Sequence, residues 1–274
     1  MRELLRLSDA DIKDFNRQSS KGNQLKFCLD GIWYKTDYMG YEGLSEYVIS
    51  KLLAFSDLHP HEYVDYELEE IEYNGSVFRT CKSMDFTEGW NLITLERLFK
   101  DTYGVGLNKI IYSTADHGER LEILVEQVER TTGLKGFGIY MSKMLTVDAL
   151  FLNEDRHTHN IAVLTNGKGD FRLAPIFDNG AGLLSDTGMD YPMGREPLDL
   201  ISKVKPKTFC DSFEEQLEIS EKLYGENLHF SFGYNEVEAI VEKADIYPEE
   251  IRRRVIDVVM EMKRRYSYLF SSRI

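Results

Sequence analysis

Residues 150–182 read "LFLNEDRHTHNIAVLTNGKGDFRLAPIFDNGAG". Apolar runs bracket Asp155, Arg156, His157, His159 and Asn160, and Asp178 follows beyond a glycine-containing turn. A core would fill such a stretch with leucine, because a buried polar group costs free energy unless it is partnered. The helical period of "GFGIYMSKMLTVDALFLN" (136–153) ends at this point, and "IAVLTNGKGDFRLAPIFD" (161–178) reads as a short hairpin. The polar knot is therefore expected in a loop between helix and hairpin, lining a cleft.

An aspartate in such a loop can orient a hydroxyl nucleophile or take its proton, which is the role open to Asp155. Asn160 offers an amide oxygen and Asp178 a carboxylate from a strand end, both hard donors of the kind magnesium prefers. Together the three describe phosphoryl transfer, where the protein mainly positions and neutralises phosphates. Each residue alone would also suit a turn cap; their spacing around a hairpin is what favours a site. His157 and His159 would diverge on a strand and have no soft third ligand nearby, so zinc is not expected. His157 instead suits a bracing hydrogen bond.

N-terminal to this region the chain is strand-rich. "LKFCLDGIWYKTDY" (25–38) alternates and turns at Asp30-Gly31, and "YELEEIEYNGSVFRTCKSM" (66–84) does so at Asn74-Gly75. Between them "YEGLSEYVISKLLAF" (41–55) carries Leu44, Tyr47, Val48, Leu52 and Phe55 at helical spacing. Lys35 falls on a strand and Glu46 on that helix, the pairing by which kinases aim an ammonium at the α- and β-phosphates. "SSKGNQLKF" (19–27) precedes the first strand, and its backbone N–H groups could cradle phosphate. Taken singly, the loop, the lysine and the glutamate also suit a solvated surface.

From about residue 90 the period becomes helical, in "LITLERLFKDTYG" (92–104), "ERLEILVEQVERTTG" (119–133) and the stretch before the knot. Residues 211–274 return to helices, ending in "PEEIRRRVIDVVMEMKRRYSYLF". The expected fold is α+β and bilobal: a β-rich N-lobe with one helix over 1–86, and a larger helical C-lobe over 87–274, meeting near Met84 to Gly89. Glycines at 180, 182, 188 and 194 suggest a mobile, acceptor-recognising loop before Lys207.

Composition narrows the function classes. A formal net charge of -14 argues against nucleic acid and against an anionic membrane face. No apolar run approaches the ~18 residues that a membrane span needs. "MRELLRLSDADIKDF" is too charged for a secretory h-region. Cys28, Cys81 and Cys210 are odd in number and far apart, which fits a reducing compartment and points to the cytoplasm.

On these residues the chain resembles the HipA-like serine/threonine kinases. Ser19, Gly22, Gln24 and Lys26 match their S-x-x-G-x-Q-x-K loop, and Asp155, His157 and Asn160 their D-x-H-x-x-N catalytic loop. Leu173, Pro175 and Asp178 match their L-x-P-x-Y-D stretch, with Phe177 in place of tyrosine. "VKPKTFCDSFEEQLE" (204–218) is similar to the segment after their activation loop. The nucleotide loop lies within twenty residues of Met1, so the likeness is to the short, stand-alone CtkA-type form, without the antitoxin-binding subdomain.

The resemblance implies ATP and Mg2+ as cofactors and a protein substrate with a Ser or Thr acceptor. Asp155 would be the base, Lys35 the phosphate-binding lysine with Glu46 as partner, and Asn160 and Asp178 the metal ligands. Ser19, Ser20, Gly22, Asn23 and Gln24 would form the nucleotide loop, with Met84 completing the nucleotide-binding set. Ser19 matches a serine whose autophosphorylation ejects the loop and silences such enzymes. The "DRHTHN" pattern is also that of the distantly related phosphatidylinositol 3- and 4-kinases, which keeps a lipid or small-molecule acceptor open. A nucleotide-binding pseudokinase, acting as an interaction module, is the remaining alternative.

Overall fold

A computed structural model describes residues 4–12 and 24–270. The order begins with strands β1 (Leu5–Arg6), β2 (Lys26–Leu29) and β3 (Ile32–Thr36), then helix α1 (Glu42–Leu53). Strands β4 (Glu67–Tyr73), β5 (Ser76–Met84) and β6 (Asn91–Thr94) come next. Helices α2 (Leu95–Tyr103), α3 (Leu107–Ile111), α4 (His117–Thr132) and α5 (Phe137–Phe151) follow, then strands β7 (Ala162–Thr165) and β8 (Phe171–Leu173). Helices α6 (Pro197–Ile201), α7 (Phe213–Tyr224), α8 (Tyr234–Glu242) and α9 (Glu249–Arg265) complete it. The fold is α+β, with a five-stranded sheet and a helical remainder, as the sequence suggests. Contacts group the chain into two units: Met1–Phe86, Phe177–Lys203 and Phe230–Ile274 form one, Thr87–Ile176 and Val204–His229 the other.

In the first unit the strand order is β1-β4-β5-β3-β2, parallel between β1 and β4 and antiparallel elsewhere. Both expected hairpins form. Asp30 and Gly31 have φ of 51° and 78°, and Asn74 and Gly75 of 51° and 76°. Left-handed backbone at both central residues matches the twist of paired strands, and Asn, Asp and Gly tolerate it best. Strand alternation then sends Tyr34 into a cluster with Leu7, Phe27 and Ile71, and its neighbour Lys35 to the other face. Helix α1 packs against β3, β4 and β5. It is buried nearly all round, from Gly43 to Leu53, so it is a core helix rather than a one-sided amphipathic one. Phe55, read above as part of its stripe, lies beyond the helix end and is exposed. The close approach depends on Gly43, where a Cβ would stand 3.0 Å from Asp37 Oδ1 and 3.1 Å from the Cys81 backbone nitrogen.

The second unit is built on α5, which is buried along almost its whole length and packs against α4 and α7. His117 Nδ1 lies 2.6 Å from Glu215 Oε1 and ties the N-terminal turn of α4 to that of α7. Strands β6, β7 and β8 form a separate antiparallel sheet. Leu92, Ile93 and Thr94, expected to start a helix, instead belong to β6. Leu92 pairs with Leu164 and Ile93 with Val163. Such short apolar runs satisfy both periods, and the cross-strand partners decide. The helix starts at Leu95, with the Thr94 hydroxyl accepting the Arg97 N–H. Among the described residues no helix is long and apolar enough to cross a membrane.

Candidate active site

Within the first unit, Lys35, Glu46 and Asp178 meet. Lys35 Nζ lies 2.8 Å from Glu46 Oε1 and 3.0 Å from Asp178 Oδ1. The Tyr66 hydroxyl is 3.5 Å away, and its ring centroid lies 5.4 Å from the ammonium. Burial opposes the charge on Lys35, but the Asp178 and Glu46 carboxylates overcome it and hold its pKa well above the usual value. The ammonium is therefore locked in the charged form that phosphate binding would require.

Asp178 reaches this position through a constrained segment. Its φ of 62° is left-handed, as are those of Leu183 and Leu184 at 54° and 59°. Such backbone in non-glycine residues persists only where surroundings over-determine it. Here Phe177 packs on Phe86, with ring centroids 5.5 Å apart, and joins the Val64, Tyr66 and Cys81 cluster. The Asn179 N–H donates to Glu46 Oε2 at 2.9 Å, and the Ser45 hydroxyl donates to the Asn179 carbonyl at 3.0 Å. Further on, the Tyr41 hydroxyl donates to the Leu183 carbonyl at 2.7 Å. The glycines of this segment suggested mobility, yet residues 182–186 are buried and hydrogen-bonded back to the region around α1.

Of the expected nucleotide loop, Ser19, Ser20, Gly22 and Asn23 lie outside the described residues. Gln24 donates from Nε2 to the Thr36 carbonyl at 2.8 Å and so holds the end of β3. Met84 sits at the end of β5, opposite Ile32, with 68% of its surface exposed.

Asp155 and Asn160 meet within the second unit. Helix α5 ends at Leu152 in left-handed backbone, and the loop beyond it is organised by a buried ion pair. Arg156 donates to Asp148 from Nε at 3.0 Å and from Nη2 at 3.0 Å, with both side chains almost wholly buried. Asn153 donates to the same carboxylate at 2.9 Å. Burial raises the Asp148 pKa, and Arg156 and Asn153 pull it back. Arg156 also donates from Nη1 to the Asn160 carbonyl at 3.2 Å. The Asn160 amide nitrogen donates to the Asp155 carbonyl at 2.8 Å and lies 3.3 Å from Asp155 Oδ2. His157 braces the loop as expected: its Nδ1 accepts the His159 N–H at 3.2 Å, and its Nε2 lies 3.9 Å from Asp155 Oδ1.

Sequence reasoning read Lys207, with Lys203 and Lys205, as a lysine for an acidic substrate or phosphate or for solvent, whereas its ammonium lies 3.2 Å from Asp155 Oδ1. It missed Tyr66, Asn179 and the Asp148–Arg156 pair. For the last there was a signal, a lone aspartate in the apolar "MLTVDALF" eight positions before an arginine. Tyr66 and Asn179 carried none, because their roles depend on strands and loops distant in sequence.

A five-stranded sheet with a strand lysine paired to a helix glutamate, followed by helices, defines a kinase-like α+β fold. Among solved structures the chain is similar to the Helicobacter pylori proinflammatory kinase CtkA, with a TM-score of 0.64 and 15% identity over 98% of each chain. It also matches a chain from the Shewanella oneidensis MR-1 HipA–HipB toxin–antitoxin complex with operator DNA. That match has a TM-score of 0.38 and 11% identity, over 94% of this chain and 58% of that one. Neither a family model nor a curated protein matches the sequence.

Proposed function

We propose that the chain is an ATP- and magnesium-dependent protein kinase that transfers the γ-phosphoryl group to a serine or threonine hydroxyl. The observation that carries this reading is Lys35 Nζ held 2.8 Å from Glu46 Oε1 on a kinase-like fold. The pair presents a fixed ammonium for the α- and β-phosphates. Asp155 is the base: it takes the acceptor's proton as the acceptor oxygen bonds to the γ-phosphorus. The bond from that phosphorus to the β–γ bridging oxygen breaks, and the nucleoside diphosphate leaves.

The donor chemistry fits magnesium. The Asn160 amide nitrogen donates to Asp155, and its amide oxygen and the Asp178 carboxylate are each hard donors of the kind magnesium prefers. We assign Asn160 and Asp178 to the metal, which when bound would neutralise phosphate charge. Ser19, Ser20, Gly22, Asn23, Gln24 and Met84 are assigned to the nucleotide. Ser19 is assigned as a self-inhibiting autophosphorylation site, and the working compartment is the cytoplasm.

Incubation with magnesium and γ-labelled ATP, with mapping of every labelled site, tests the reading. Label on serine or threonine, abolished by Asp155→Ala and Lys35→Ala, is the expected result. Label confined to an organic-soluble product would make the acceptor a lipid, and label transferred from the α-phosphate would mean nucleotidylation. Nucleotide binding without transfer would mean a pseudokinase.

A further inference from the structure

Lys207 stands beside the loop that holds Asp155. Its backbone N–H donates to the Glu154 carbonyl at 3.1 Å. The Tyr112 hydroxyl donates to the Thr208 carbonyl at 2.5 Å. Thr208 and Phe209 are buried, at 4% and 1% exposure, so the backbone at Lys207 is anchored from both sides. From that anchor the side chain reaches 3.2 Å from Asp155 Oδ1 and 3.6 Å from Glu154 Oε1. Glu154 and Asp155 are adjacent carboxylates whose side chains are only 8% and 10% exposed. Two such neighbours repel each other, and an ammonium shared between them offsets that repulsion. The contact also divides the Asp155 carboxylate: Oδ1 faces Lys207, and Oδ2 faces the Asn160 amide.

We propose that Lys207 is a positioning residue for phosphoryl transfer, its ammonium fixing the orientation of the Asp155 carboxylate. The inference rests on the kinase reading above and adds to it a residue from a distant part of the chain. A surface ion pair would contribute little, because two mobile side chains must be ordered in high dielectric. Here Asp155 is buried, and Lys207, whose side chain is 42% exposed, extends toward it from an anchored backbone and meets two carboxylates at once. The contact therefore sets geometry at the group that receives the acceptor's proton, where a displacement of about 1 Å costs on the order of 100-fold in rate.

The test compares the parent with Lys207→Met, Lys207→Arg and Asp155→Ala, measuring kcat, KM for ATP and thermal midpoint. Lys207→Met is expected to lower kcat by on the order of 100-fold with KM for ATP nearly unchanged, and to lower the midpoint modestly as Glu154 and Asp155 lose their shared cation. Lys207→Arg, which keeps a cation in reach, is expected to restore most of the rate. If Lys207→Met is as active as the parent, or more so, while Asp155→Ala is inactive, the inference is overturned and the kinase reading stands. A fall in kcat that tracks a fall in thermal midpoint, with no recovery in Lys207→Arg, also overturns it. If the parent transfers no phosphate, or Asp155→Ala remains active, the kinase reading fails first and takes this inference with it.

Discussion

Glu46 accepts the backbone N–H of Asn179 at 2.9 Å through Oε2, while its Oε1 holds Lys35. One carboxylate thus fixes both the lysine and the residue directly after Asp178. In Glu46→Gln, the side-chain amide must turn a donor toward one of two donors. Loss of ~100-fold or more in phosphoryl transfer is expected, since the lysine and the carboxylate of Asp178 lose their common anchor. Stability should fall by about 1–3 kcal/mol, because one buried donor is left without its acceptor while Asp178 still pairs with Lys35. Urea unfolding alongside the transfer assay checks both, and an unchanged urea midpoint would contradict the anchoring role.

Arg156 and Asp148 form a fork between guanidinium and carboxylate at 3.0 Å. Lysine keeps the charge but cannot supply two parallel donors or reach the Asn160 carbonyl at the same time. Arg156→Lys should cost about 1–3 kcal/mol in stability, through hydrogen bonds left unmade at Asp148 and the Asn160 carbonyl. It should also slow transfer by ~10-fold or more, because the loop carrying Asp155 and Asn160 loses its brace. A variant with the parent's midpoint and rate would show that the pair is dispensable.

Asp37 gives a pH signature. Its Oδ1 accepts the Gly43 N–H at 2.6 Å and its Oδ2 the Tyr247 hydroxyl at 2.8 Å. Burial pushes its pKa up from 3.8 to about 7, outweighing the hydrogen bonds from Gly43 and Tyr247. A folded value above the unfolded one means that the native state binds this proton more tightly. The stabilisation is full below pH 3.8 and is lost as pH rises toward about 7. Asp37→Asn keeps the shape without the charge, so it should remove this slope and exceed the parent's stability at pH 8 by on the order of 2 kcal/mol. Urea midpoints measured across the range decide it; parallel curves for the two proteins would refute the assignment.

Gly138 allows α5 to lie close against α7: a Cβ there would stand 2.3 Å from the Tyr224 ring. Gly138→Ala should destabilise by ~1–3 kcal/mol through overpacking. Gly194, where a Cβ would meet nothing within 4 Å, serves as the control and should change little on substitution by alanine. Thermal melts of the two variants distinguish a packing effect from a general glycine effect.

Much of the local structure was legible. Both hairpins form at Asp30-Gly31 and Asn74-Gly75 because left-handed turns select those residues, and the α5 helix stops where its apolar period stops. Lys35 on a strand and Glu46 on the next helix match the kinase arrangement, and the two do form an ion pair. Leu92 to Thr94 misled, because so short a run has no period of its own until β7 supplies partners.

By itself the sequence determined what depends on near neighbours: turn chemistry, helix phase, and the grouping of Asp155 with Asn160 five residues later. Only the tertiary structure decided which distant groups share a charge. It set Asp178 against Lys35, Asn179 against Glu46, and Lys207 against Asp155. It also returned residues 177–203 and 230–274 to the unit of the first strands. The physical reason is range. Backbone preference acts over a few residues, whereas a buried charge must find its partner wherever the packed chain brings one.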